Sequence, residues 1–173
     1  VERRVTHELD GSRAGGLHPR TIEVLDQRGI AERFVSTGQQ HPAAGFAYIQ
    51  LNVGDFPTRH NYVLALWQRD FERILAAWID ELRVPILRGD EVVGLAQSDS
   101  GVDVELAGGT SLRADYLVGC DGGRSVIRRT AGIDFPGVDP STSFVIAEVE
   151  MASVPEIGVR PEGGGIGPVN REQ

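Results

Sequence analysis

Apolar positions recur along this chain with two periods, and the change from one to the other marks its elements. Across residues 18–29, Ile22, Val24 and Leu25 build one apolar face. A proline stands at the first helical turn and a glycine at the stop, so the stretch predicts a helix. Residues 30–37 continue as a second, shorter helix. Gln68, Arg69 and Asp70 open a longer helix to about residue 82, with Phe71, Ile74, Leu75 and Trp78 along one side as core. Between these helices, residues 46–51 and 62–66 are β-prone, and residues 54–59 read as a loop. Residues 5–16 are a polar loop with no period.

From residue 84 the period shortens to two. Residues 84–87, 91–97, 102–106 and 111–115 read as short strands, with hairpin-like turns at 98–101 and 107–110. This meander leads into the stretch around which the chain is organised, Tyr116-Leu117-Val118-Gly119-Cys120-Asp121-Gly122-Gly123-Arg124-Ser125, followed by Val126-Ile127-Arg128-Arg129. The pattern is a buried strand, a tight turn and a capped helix. Asp121 then stands at the carboxyl end of a strand, where open α/β sheets bind ligands, and its carboxylate suits the hydroxyls of a sugar or ribityl chain. A local cap at an ordinary corner is the competing reading of the same residue.

Farther on, residues 132–137 read as a loop and residues 143–150 as an alternating strand. The glycine-rich run at 162–168 reads as a mobile hairpin, because no lysine follows it and Pro168 breaks a GxGxxG pattern. Histidines 7, 18, 41 and 60 lack metal-ligand spacing and read as loop or surface residues.

Composition narrows the chemistry. A globular balance of 40% hydrophobic and 24% charged residues carries a net charge of -8 and a pI near 5.0, which argues against nucleic acid. All 17 basic residues are arginine, which removes lysine nucleophiles and Schiff bases. The single cysteine, Cys120, cannot form an internal disulfide, and a reducing cytoplasm fits best. No apolar run reaches the roughly 18 residues of a membrane span. No Ser-His-Asp elbow, paired catalytic carboxylates or Cys/His cluster stands out, which fits chemistry performed by a cofactor.

The Asp121 stretch with Arg128 resembles the Asp-Gly motif of class A flavoprotein aromatic hydroxylases, the para-hydroxybenzoate hydroxylase family. Glu2-Arg3-Arg4, Arg13-Ala14-Gly15-Gly16-Leu17-His18-Pro19-Arg20-Thr21 and Gln68-Arg69 match the same family in the same order. The second of these is most similar to the branch acting on aromatic polyketides and rifamycin-like antibiotics. The resemblance covers about residues 1 to 150.

It implies an α/β fold, part of a Rossmann-like FAD-binding domain with an inserted β-meander, whose first strand and Gly-rich turn are missing from these residues. Residues 1–137 would be the partial FAD-binding domain and 138–173 the start of a substrate domain. The implied cofactors are FAD and NADPH, and the implied reactants are a small aromatic substrate and molecular oxygen. Glu2 would hold the adenosine ribose beside Arg3, and Arg13 and Gln68 the pyrophosphate. The backbone at Val92 would run beside the adenine, Asp121 with Gly122 would hold the ribityl chain, and Arg124 would contact NADPH.

Each residue also has a plainer reading: Glu2 as a solvated charge at a terminus, and Arg69 as a surface or cap residue. On this account the 173 residues belong to a longer monooxygenase and are inactive alone. A non-catalytic flavoprotein remnant or interaction fragment would keep the same signals. A nicotinamide-only dehydrogenase would leave the Asp-Gly motif and the meander unexplained.

Overall fold

The computed structural model describes residues 1–8, 14–46, 49–143, 145, 147, 149–150, 152–153, 158–159 and 165–166. The chain divides into two compact units, Val1–Asp134 and Phe135–Gln173.

In the first unit the helices fall where the period of 3.6 placed them. They are α1 (Pro19–Asp26), α2 (Ala31–Val35), α3 (Gln68–Glu81) and the short α4 (Val126–Thr130). Ile22, Ile30, Ala31, Phe34, Leu64 and Leu66 form the main core, and the α3 stripe of Phe71, Ile74, Leu75 and Trp78 packs against it. A bidentate Arg33–Glu81 pair, with both nitrogen to oxygen distances at 2.8 Å, ties α2 to the end of α3.

Three short strands form one sheet beside this core. Strand β1 (Gly16–Leu17) and β2 (Gln39–His41) both pair antiparallel with β5 (Val63–Ala65). Gly38 must be glycine here, because a Cβ would stand 2.8 Å from the Ala65 carbonyl oxygen and from Leu64 Cγ. The β1 pairing takes Gly16 out of the polar loop expected over residues 5–16. The stretch expected as one strand over 46–51 is instead a hairpin, β3 (Ala43–Phe46) on β4 (Ile49–Asn52), with Phe46 facing Ile49 in register. Its apolar residues stay exposed, Phe46 at 74% and Ile49 at 61%. No buried face therefore imposed a period on this segment, and propensity alone does not show where a chain reverses.

The meander is present as a second sheet, β6 (Val92–Ser98), β7 (Gly101–Leu106) and β8 (Ser111–Ala114), antiparallel throughout and bulged at Val92 to Gly94. Val102, Val104 and Leu106 alternate inward and make its own small core with Val92, Leu95, Leu112 and Leu117. Residues 84–87 do not form a strand. A parallel bridge between Glu2 and Arg88 and the bond from Glu2 N to the Leu87 carbonyl at 2.8 Å join this stretch to the first residues, with Gly89 N donating to the Arg4 carbonyl at 3.3 Å and Arg88 Nη1 to that of Thr6 at 3.2 Å.

The buried strand expected at residues 116–118 is absent. That segment is not laddered to a neighbour, and Tyr116 is 89% and Val118 80% exposed. An apolar run becomes a strand only where another strand accepts its backbone bonds, and none of the described strands does so. His60 also departs from expectation. It lies in a loop but is only 7% exposed. Its Nδ1 is 3.1 Å from the Tyr62 hydroxyl, and its Nε2 is 3.1 Å from Asp26 Oδ2, within ion-pair distance but off the line of a hydrogen bond.

In the second unit the described residues pair β9 (Gly158–Val159) antiparallel with β10 (Gly165–Ile166), and the rest of the glycine-rich run at 162–168 lies outside the described residues. Of the strand expected at 143–150, residues 144, 146 and 148 lie outside the described set, and the others are in no strand.

Candidate cofactor site

The amino end of α3 organises one half of the site. Helices leave their first N–H groups without intrahelical partners. Here the Gln68 N–H is bound by the Ala14 carbonyl at 2.9 Å, and the Leu66 N–H by that of Gly15 at 3.1 Å. Ala14 and Gly15 are thereby held against the helix start, and Arg13 lies outside the described residues. A glycine at 15 suits this approach, since a Cβ there would meet the Trp67 ring at 3.4 Å.

From Gln68 a chain of polar contacts leads to the first residues. Gln68 Nε2 donates to Glu72 Oε1 at 2.8 Å, one turn along the helix, and Arg4 Nη2 reaches Glu72 Oε2 at 3.3 Å. The Arg4 N–H donates to Glu2 Oε1 at 2.8 Å. That backbone bond is the main reason the Glu2 carboxyl titrates below its ordinary value; burial opposes it, and the Arg4 guanidinium adds to the lowering. Glu2 is therefore a carboxylate at neutral pH, and the second oxygen has no hydrogen-bond partner among the described residues.

Arg3 stands apart from this chain. Its side chain is 78% exposed and lies 3.7 Å from Glu91. Arg69, expected as a surface or cap residue, is 41% exposed and 3.7 Å from Asp70. Val92 is half-buried in the meander core, where its side chain is a packing residue.

The Asp-Gly turn forms the other half and is built from local bonds. Gly122 has φ +76, a left-handed conformation that favours glycine, and its carbonyl accepts from the Ser125 N–H at 3.0 Å. Ser125 caps α4 by accepting from the Arg128 N–H at 2.9 Å. Its hydroxyl donates in turn to Asp121 Oδ1 at 2.5 Å, and Asp121 Oδ2 accepts from the Ile127 N–H at 3.1 Å. The Ser125 bond first, and the helix N–H groups after it, hold the Asp121 carboxyl below its ordinary value against a smaller opposing effect of burial.

Both readings of Asp121 meet in this geometry. It is a helix cap, bonded to the Ser125 hydroxyl and the Ile127 N–H, and it is also an exposed carboxylate at an open turn. Cβ atoms at Gly122 and Gly123 would meet nothing within 4 Å, so the turn presents open backbone. Arg124 lends its carbonyl to Arg129 Nη1 at 2.6 Å, and Arg128 Nη1 closes on the Gly123 carbonyl at 2.8 Å.

A groove of about 830 Å³ runs between the 98–101 turn, Tyr116, Leu117 and α4. Gly119 and Ser125 line it, while Glu2, Gln68 and Asp121 do not. Among the described residues no group of three or more His, Cys, Asp or Glu could hold a metal, and no helix is long and apolar enough to cross a membrane. The sequence pattern did not single out Glu72 or Ser125 as parts of a network. The spacing Gln68 to Glu72, i to i+4 on a helix, was the available signal for the first.

Comparison with known proteins places this geometry. The chain is 44% identical over 158 residues to a rifampicin monooxygenase of Streptomyces venezuelae, covering 90% of this chain and 33% of that protein. Among solved structures, an anhydrotetracycline hydroxylase from Streptomyces rimosus superposes with a TM-score of 0.75 at 39% identity, over 81% of this chain and 30% of that one. A Diels-Alderase of pyrroindomycin biosynthesis superposes with a TM-score of 0.72 at 35% identity, over 80% and 30% of the two chains. The chain spans about a third of the length of the curated relatives it matches. A family model for an FAD binding domain matches residues 1–171, and the chain belongs to that family.

Proposed function

We propose that this chain is the cofactor-holding part of an FAD-dependent, NAD(P)H-consuming monooxygenase that hydroxylates an aromatic, phenolic or polyketide-type substrate. The observation that carries the reading is the Asp121 turn, an exposed, ionised carboxylate oriented by local bonds beside the open backbone of Gly122 and Gly123. That geometry fits the hydroxyls of a ribityl chain. The Glu2 carboxylate fits the ribose hydroxyls of the adenosine. The start of α3, with Gln68, fits a pyrophosphate, because the helix dipole favours anions there. Arg13 would add a guanidinium fork to the phosphates, Arg3 and the Val92 backbone would flank the adenine, and Arg124 would meet the nicotinamide nucleotide.

When bound, FAD would take a hydride from NAD(P)H and activate molecular oxygen, so that one oxygen atom enters the substrate as hydroxyl and the other leaves as water. These residues bind and orient it. On this reading residues 1–137 belong to a Rossmann-like FAD domain and residues from 138 begin a substrate domain, near the division between Val1–Asp134 and Phe135–Gln173. Because the chain spans only about a third of the length of its curated relatives, residues 1–173 alone should turn over no substrate. The absence of a membrane-spanning helix among the described residues accords with a cytoplasmic enzyme.

The test is to supply the full protein with FAD, NADPH or NADH, oxygen and a panel of phenolic polyketides. Substrate-stimulated nicotinamide oxidation together with a product heavier by one oxygen is expected. Flavin binding without either would return the chain to a non-hydroxylating reading, which its likeness to the Diels-Alderase also allows.

A further inference from the structure

We infer that Arg4 is a positioning residue for Glu2, its guanidinium spanning Glu2 and Glu72 so that one Glu2 oxygen is occupied and the other is presented to the adenosine ribose. The inference rests on the reading of Glu2 given above. A glutamate side chain turns about several bonds, and a carboxylate left to turn in water must be ordered when the hydroxyls arrive, which weakens binding. A carboxylate already ordered in the empty protein escapes that loss.

The backbone is fixed first. The Glu2 N–H donates to the Leu87 carbonyl at 2.8 Å, and the Arg4 carbonyl accepts from the Gly89 N–H at 3.3 Å, so both residues are anchored on one stretch. The side chains follow. Glu2 Oε1 accepts from the Arg4 N–H at 2.8 Å and lies 3.5 Å from Arg4 Nε, while Arg4 Nη2 is 3.3 Å from Glu72 Oε2. A guanidinium is a planar fork with donors along more than one edge, so it can meet two carboxylates at once. Glu72 rides on α3, whose apolar stripe packs into the main core, and the fork is thereby tied to a rigid element. Both Arg4 contacts fall on Oε1, which leaves Oε2 as the oxygen for a ribose hydroxyl. The Glu2, Arg4 and Glu72 side chains are 36%, 41% and 25% exposed, so solvent screening keeps the effect of each ion pair modest.

The experiment is a double-mutant cycle on FAD affinity in the full protein, with Glu2→Ala, Arg4→Gln, Glu72→Gln and Glu2→Ala/Arg4→Gln. The melting temperature of each apo form and the titration of the Glu2 carboxyl are measured alongside. Glu2→Ala should weaken FAD binding by about 10-fold, the worth of a hydrogen bond to a charged group. Arg4→Gln should weaken it by about 2- to 5-fold, and Glu72→Gln by no more than that. The double variant should be no weaker than Glu2→Ala alone. In Arg4→Gln the Glu2 titration should move up part of the way only, because the residue 4 N–H remains its main cause.

Additive losses in the double variant would overturn the inference, since Arg4 would then act other than through Glu2. So would unchanged FAD affinity in Arg4→Gln, or an Arg4→Gln effect confined to apo melting with the Glu2 titration unmoved. Unchanged affinity in Glu2→Ala would be a different failure, that of the ribose reading of Glu2, and wild-type protein that binds no FAD would be the failure of the functional reading itself.

Discussion

Ser125 is the residue on which the Asp-Gly turn and α4 depend, and replacing it with alanine tests both at once. The side chain is 8% exposed and makes two bonds, accepting from the Arg128 N–H at 2.9 Å and donating to Asp121 Oδ1 at 2.5 Å. Loss of a serine N-cap costs about 1 kcal/mol, within a range of about 0.5–2. The second bond adds little to that figure, because Asp121 is exposed and water replaces the hydroxyl. A cost of about 1–2 kcal/mol should lower the melting temperature of a chain of this size by roughly 2–8 °C.

The same substitution removes the main cause of the lowered Asp121 titration. A carbon-detected titration of that carboxyl should therefore move up toward the ordinary value of 3.8. Ser125→Thr keeps the oxygen and should restore most of the stability, whereas flavin affinity should fall in the alanine variant as the carboxylate loses its orientation. Denaturant unfolding followed by circular dichroism reads the first quantity, and flavin fluorescence reads the last. A midpoint within a few tenths of a kcal/mol of wild type, or a threonine variant as unstable as alanine, would refute the capping argument.

Other perturbations follow from the same geometry. Arg83 ends α3 at φ 54, with its own N–H bound to the Asp80 carbonyl and the Val84 N–H to that of Ile79, a glycine-type C-cap occupied by arginine. Arg83→Gly removes about 1–2 kcal/mol of left-handed strain and returns part of it as unfolded-state entropy, so a net gain of about 0.5–1 kcal/mol is expected in chemical unfolding; a loss would contradict it. Phe34, 1% exposed in the main core, should cost about 3–5 kcal/mol as Phe34→Ala, and a denaturant midpoint shift worth under about 1.5 kcal/mol would mean the site is not close-packed. Folded-state carboxyls at Glu2, Glu23, Glu81 and Asp121 titrate below their ordinary values of 4.5 and 3.8. Their stabilisation is complete above those values and is lost as pH falls through the lower folded ones. Burial raises Tyr62 above its ordinary 10.0, so its contribution is complete below that pH and fades as pH rises through the folded value. Melting temperature measured from acid to alkaline pH should fall at both ends, and a flat acid limb would count against the carboxylate bonds.

What was legible in the sequence was whatever has a periodic cause. The α3 stripe and the alternating Val102, Val104 and Leu106 announce one buried face each, and both elements are where the period put them. Residues 116–118 look like a strand because apolarity marks burial, but the ladder that makes a strand belongs to its neighbours and is not written in the segment. The hairpin at 43–52 was read as one strand because its exposed side chains carry no period to reveal a reversal. His60 looked like a loop histidine because its partners, Asp26 and Tyr62, come together only through tertiary packing. The Asp121 turn was legible as chemistry, since Asp-Gly-Gly-Arg-Ser before an apolar helical pattern prescribes a turn and a cap. The contact of Glu72 with Arg4 was not, because it arises only when the first residues pack against α3.

The central claim is that this chain holds FAD through Asp121, and flavin occupancy tests it most directly. The full protein and its Asp121→Ala variant are purified side by side, diluted, and assayed for retained flavin by absorbance and fluorescence, with circular dichroism confirming that both are folded. The account predicts a yellow wild-type protein and a folded variant that loses most of its flavin on dilution. A folded Asp121→Ala protein that retains flavin as wild type does would contradict it.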